Sequence, residues 1–199
     1  MPAVPAVPAP LVLVDVDGVL NAIGPPDDAW PDWQRGSATA LGRSWPLRWS
    51  PSVTAAVQSW RDRADVRWLT TWGHDANAGL HALLGLPELP VAGTHADVAA
   101  PPTGEPDDLG RSALAGVTPA APDELTGRWW KFDVVRLLLR AEPGRRLVWL
   151  DDDLARSEPV RAWTRAATDC LLIAPDPRTG LVAAHLRAVD RFLGAPPRA

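Results

Sequence analysis

Four short apolar runs recur along this chain at wide intervals, and each stops at a polar residue. They are Leu11-Val12-Leu13-Val14 before Asp15, Val66-Arg67-Trp68-Leu69 before Thr70, Leu147-Val148-Trp149-Leu150 before Asp151, and Leu171-Leu172-Ile173 before a proline-rich turn. Runs of this length, bounded by polar or turn residues, predict buried strands. Pro90-Val91-Ala92-Gly93 predicts a further short strand between the second and third of them. Helical spacing fills the gaps. Ser50-Pro51 reads as an N-cap followed by proline at the first helical position, opening a helix to about Arg63 that buries Val53, Val57 and Trp60. A second helix is expected over about 75–84, ending at Gly85, and a third over Trp129–Ala141, stopped by Pro143-Gly144. Two more are expected at about 158–167 and 181–193.

Alternation of strand and helix predicts an α/β fold: a Rossmann-like three-layer sandwich, with a mostly parallel five-stranded sheet and helices on both faces. Right-handed crossovers put the strand C-termini on one edge. Asp15, Thr70 and Asp151 therefore meet on that edge, although they are far apart in sequence.

Three stretches lack this patterning. Residues 1–10 form a Pro/Ala leader, expected to be extended or flexible. Residues 21–49 read as a long loop or short irregular hairpin, a flap, and 94–126 as a long mobile loop. Both belong to a single domain over 11–194, with a minimal cap or none.

Composition narrows the picture. With 46% apolar residues in 199, a sizeable core is available. A single cysteine, Cys170, excludes a disulfide framework and a cysteine-rich metal site. A net charge of -4 gives no global basic field for nucleic acid. No apolar stretch is long enough to span a membrane, and no signal peptide is recognised, so a soluble cytoplasmic protein is expected. No obligate protein partner is evident. Of 20 basic residues only Lys131 is a lysine, which draws attention to the place where it stands.

The candidate chemistry begins at Asp15-Val16-Asp17-Gly18-Val19-Leu20, where two carboxylates end the first apolar run. Unpaired carboxylates cannot stay inside a buried strand at tolerable cost, so they belong at its mouth, facing a cation or phosphate. Asp-x-Asp-Gly is also ordinary turn punctuation. Thr70 also fits a plain strand end, Lys131 a solvated helix-end residue packed on Trp129 or Trp130, and Asp151-Asp152-Asp153 a helix cap. The four occur in order across residues 11–153, each at a predicted strand end or helix start. That ordered set resembles the haloacid dehalogenase superfamily. Together with Trp68-Leu69-Thr70-Thr71-Trp72, His74-Asp75-Ala76-Asn77 and Trp149-Leu150-Asp151-Asp152, it is similar to a small branch whose members include domains associated with RNA repair proteins.

The resemblance implies a phosphatase. Asp15 becomes the nucleophile that forms an aspartyl-phosphate, and Asp17 the general acid and then base. Thr70 and Lys131 contact the transferring phosphoryl group. Mg²⁺ suits an all-oxygen site, with Asp15, the Asp17 carbonyl and Asp151 or Asp152 as ligands; the sequence leaves open which of the last two binds directly. Asn21, Thr71 and His74 are candidate substrate contacts, and His74 equally fits a local cap. The substrate is a phosphorylated metabolite, a nucleotide or a nucleic-acid end. Trp30, Trp33, Trp45 and Trp49 beside Arg35, Arg43 and Arg48 in the 21–49 flap suit base stacking. Asp27, Asp28 and Asp32 neutralise that segment, and tryptophan also serves as core filler. The alternative to an enzyme is a catalytically silent phosphate-binding or interaction protein of the same fold.

Overall fold

In the computed structural model, which describes residues 8–25, 27–99 and 129–195, the four apolar runs pair into one parallel sheet. Its strands are β1 (Leu11–Val14), β4 (Asp65–Trp68), β5 (Leu147–Leu150) and β6 (Cys170–Ile173), in the order β4-β1-β5-β6. Every residue of β1 and β5 is buried, as expected of central strands covered on both faces. Val12 and Val14 share a core with α1 (Pro51–Trp60) and α6 (Ala183–Gly194). Leu11 and Leu13 share a second with α4 (Trp130–Ala141) and α5 (Glu158–Ala167). The sheet is thus flanked by helices.

The fifth strand does not form. Val91 makes a single parallel bridge to Trp68, where Trp68 N–H donates to the Pro90 carbonyl and Ala92 N–H to the Trp68 carbonyl. Pro90 has no N–H to extend the ladder, and Pro87 lies just upstream. The helix expected over 75–84 also divides. A 3₁₀ turn, Gly73–Asn77, is followed by the short α2 (Leu80–Leu83). Gly79 breaks the pair with backbone angles outside the helical region, and Gly85 ends α2 in the left-handed conformation as expected. The start of the 94–126 stretch includes the short α3 (His95–Ala99), and the rest of that expected loop lies outside the described residues. So does the leader through residue 7, while the Ala9 and Pro10 carbonyls accept from Arg145 Nε and Asp65 N–H.

The 21–49 segment forms a regular antiparallel hairpin, β2 (Gln34–Ala40) and β3 (Arg43–Trp49). Ala38, Ala40, Leu47 and Trp49 bury its inner face in the same core as α1. The turn between the strands needs left-handed backbone at both Leu41 and Gly42.

Helix α1 starts where Ser50-Pro51 predicts, with Ser50 at the N-cap position, but the Ser50 side chain accepts no capping hydrogen bond. Its hydroxyl donates to Asp32 Oδ1, while Asp32 Oδ2 accepts from Ser52 N–H and Ser52 Oγ. A carboxylate from the flap thus caps the helix from outside and complements its dipole. Asp32→Ala is expected to cost about 1–2 kcal/mol, lowering the thermal midpoint by roughly 2–8 °C. An unchanged midpoint in a denaturation scan would show that solvent replaces this cap without loss.

Candidate active site

The site grows out of the ends of β1, β4 and β5. Asp15 follows the last residue of β1, and its Oδ1 accepts from Val16 N–H at 2.7 Å. Asp151 follows β5 and is fully buried. Between them stands Lys131, whose Nζ donates to Asp15 Oδ2 at 2.6 Å and to Asp151 Oδ2 at 2.8 Å. The position of Lys131 follows from α4, whose buried stripe is Trp130, Lys131, Val134, Val135 and Leu139. The lysine therefore replaces an apolar residue on the core side of the first turn, rather than standing in solvent. A cation at a helix N-terminus opposes the helix dipole, so the two carboxylates account for it. Trp129 stacks on Trp149 at 5.0 Å between ring centroids, and Lys131 Nζ lies 5.6 Å from the Trp129 ring. The Trp129 ring thus lies against the ammonium, backed by Trp149.

Asp151 Oδ1 also accepts from Asp153 N–H at 3.1 Å, capping the 3₁₀ turn Asp152–Arg156. The cap reading of Asp151 is borne out, in the same side chain that accepts from Lys131. Asp152 is half-buried and lies against Gly18. A Cβ on Gly18 would come within 2.5 Å of the Asp152 Cγ, and Gly18 is left-handed at φ 73°. Both features demand glycine there. Ligand atoms of Asp15, Asp151 and Asp152 all lie within 4.8 Å of one another.

The charges are unbalanced, since three carboxylates face one ammonium. Burial alone would lower the Lys131 pKa, but Asp15 and Asp151 outweigh it and hold the ammonium above its ordinary range. Burial pushes Asp151 up, against Lys131 and with Asp15, to about 8. Burial, then Asp153 and Asp15, push Asp152 up to about 6. An all-oxygen cluster that resists losing its protons is the donor set a hard divalent cation relieves. Asp15, Asp151 and Asp152 together could hold a metal ion.

The sign of the pH dependence follows. Carboxyls with raised folded pKa values contribute stability that is complete below their ordinary value of 3.8 and is lost as pH rises through about 6 and 8. A bound cation opposes that loss. The increase in thermal midpoint caused by Mg²⁺ is therefore expected to grow from pH 5 to pH 8. A shift of the same size at all pH values would sink the assignment of these carboxyls as ligands.

Thr70 is buried at the end of β4, where its Oγ1 accepts from Trp72 N–H at 3.3 Å and keeps its own proton to donate. Asp17 stands apart from the carboxylate cluster. Its Oδ1 accepts from Asn21 Nδ2 at 2.7 Å and its Oδ2 from the Trp72 indole N–H at 2.8 Å. Asn21, a candidate substrate contact, is thus turned to Asp17, with its Oδ1 accepting from Arg48 N–H of β3. Thr71 and His74 are exposed, and hydrogen bonds from the Thr94 hydroxyl and N–H hold the Asp97 carboxyl below its ordinary range. Their neighbours serve the fold: Asp75 accepts from Leu41 N–H at the hairpin tip, and Asn77 joins the Trp68 indole to Leu89.

Sequence reasoning passed over Trp72 and the fit of Gly18 to Asp152. Trp72 was legible as an indole donor two residues beyond Thr70, on the edge that carries Asp17. The Gly18 contact depends on how β1 and β5 lie side by side and had no signal. No model of a protein family, no curated protein and no solved structure matches this chain.

Proposed function

We propose that the chain is a Mg²⁺-dependent phosphohydrolase working through an aspartyl-phosphate, with a phosphorylated metabolite, nucleotide or nucleic-acid end as substrate. The observation that carries this reading is the buried Lys131 bridging Asp15 and Asp151. A purely structural pair would need one carboxylate, and the remaining negative charge invites a cation, through which a phosphate could then be held. Asp15, Asp151 and Asp152, with the Asp17 carbonyl, would hold Mg²⁺, and the bound cation supplies the charge that offsets repulsion between carboxylate and phosphate.

In the first step an Asp15 oxygen attacks phosphorus and the bond to the leaving oxygen breaks, with Asp17 giving that oxygen its proton. Lys131 and Thr70 hold the phosphoryl oxygens as charge moves onto them. In the second step Asp17 takes a proton from water, whose oxygen attacks phosphorus. The bond to Asp15 breaks, inorganic phosphate leaves and the carboxylate is restored.

The test is a screen for phosphate release with and without Mg²⁺, over sugar phosphates, nucleotides and 3′- or 5′-phosphorylated RNA and DNA. Release that requires Mg²⁺ on one class supports the reading and selects the substrate. Phosphate binding without turnover on any class would replace it with the silent binding protein.

A further inference from the structure

We infer that Trp72 and Asn21 are positioning residues that clamp Asp17, so that the flap hairpin is part of the catalytic apparatus; this rests on the phosphohydrolase reading above. Each Asp17 oxygen has its own N–H donor, and the donors come from different parts of the chain. The indole of Trp72 arrives from the turn after β4 and the amide of Asn21 from the loop after β1. Neither can rotate freely. Trp72 is buried in the core shared with α1 and α6, and its backbone N–H is held by Thr70 Oγ1. The Asn21 amide is oriented by Arg48 N–H, which donates to its Oδ1 at 2.9 Å and so turns Nδ2 toward Asp17.

Arg48 in turn ties β3 to the site loop. Its guanidinium donates to the Ala22 carbonyl at 3.0 Å and to the Arg178 carbonyl at 3.3 Å, and Ala22 N–H donates to the Arg48 carbonyl. The other side of the loop is pinned by the 176–181 turn, where Leu181 N–H donates to the Val19 carbonyl. A Cβ on Gly180 would lie 2.5 Å from that same carbonyl. Asp17 is therefore fixed from the hairpin, from the β4 turn and from the β6–α6 connection. Proton transfer in both half-reactions needs its carboxyl at a set distance from a phosphorus substituent, and a displacement near 1 Å costs about 10²-fold.

The experiment is rapid mixing of holoenzyme, Mg²⁺ and an aryl phosphate, whose leaving group departs without a proton. Trp72→Phe and Asn21→Asp are compared with wild type and with Trp60→Phe. Trp60 lies in the same core, with its indole bonded to Asp190, and controls for lost packing. Asn21→Asp keeps an acceptor for Arg48 N–H while removing the donor to Asp17, and it carries the test if Trp72→Phe does not fold. Both site variants are expected to release one equivalent of aryl alcohol per site at the wild-type rate, then to turn over about tenfold or more slowly. Trp60→Phe keeps both phases. Wild-type steady-state rates in both site variants, or equal slowing of burst and steady state, would overturn the clamp while leaving the phosphohydrolase reading intact. Absence of any turnover by wild type removes that reading, and the clamp with it.

Discussion

Lys131→Met is expected to destabilise the protein by about 3–5 kcal/mol, a fall in thermal midpoint of roughly 6–20 °C for a domain of this size. Lys131 is 1% exposed, and its two partners, Asp15 and Asp151, are 6% and 0% exposed. Methionine fills much of the volume of the lysine stem, so the loss reports on charge rather than on a cavity. Two buried carboxylates are left facing each other with no cation between them. Mg²⁺ is expected to restore part of the midpoint, since it supplies positive charge to the same carboxylates. Circular dichroism melts of both proteins, with and without Mg²⁺, check this. Equal midpoints for Lys131→Met and wild type would mean that the ion pair is not formed in solution.

Asp15→Asn is expected to lose turnover by roughly 10⁴-fold or more on any substrate that the wild type accepts. The substitution keeps the shape of the side chain and an oxygen for Lys131 Nζ, but an amide does not attack phosphorus. Phosphate affinity in the presence of Mg²⁺ falls much less, because Thr70 and Lys131 remain. Asp17→Asn is expected to lose about 10²–10⁴-fold, since it removes proton transfer and leaves the nucleophile. Steady-state kinetics on the substrate found in the screen separates the two. Turnover by Asp15→Asn at the wild-type rate would sink the nucleophile assignment.

Much of this arrangement is legible residue by residue in the chain. The runs of β1 and β5 are apolar throughout because a central parallel strand is buried on both faces, whereas the edge strand β4 alternates, with Asp65 and Arg67 half-buried. Glu158–Ala167 and Trp130–Ala141 are found where helical spacing puts them. Errors fall where a local signal competes with a tertiary one. Pro90 sits in an apolar run that reads as a strand, but its missing N–H confines it to a single bridge. Ser50 does stand at the N-cap position, but the capping acceptor is the charged Asp32, which the flap brings in from outside the helix. Asn21 carries no local mark of its tertiary partners, since it is Arg48 N–H from β3 that turns its amide to Asp17.

By itself, the amino-acid sequence determined the α/β class, the residues that end each strand, and the set of acidic, hydroxyl and ammonium groups available for chemistry. Periodicity and strand-end polarity are local properties, and they survive any detail of packing. Only the tertiary structure decided how those groups pair. Lys131 reads as a solvated helix-end residue or as a site residue until α4 docks its apolar stripe on the sheet and carries the ammonium between Asp15 and Asp151. The placing of Asp152 against Gly18, and of the Trp72 indole on Asp17, likewise depends on strands that lie side by side in the sheet but far apart in the chain. Such contacts are set by sheet register and helix docking, which no window of neighbouring residues encodes.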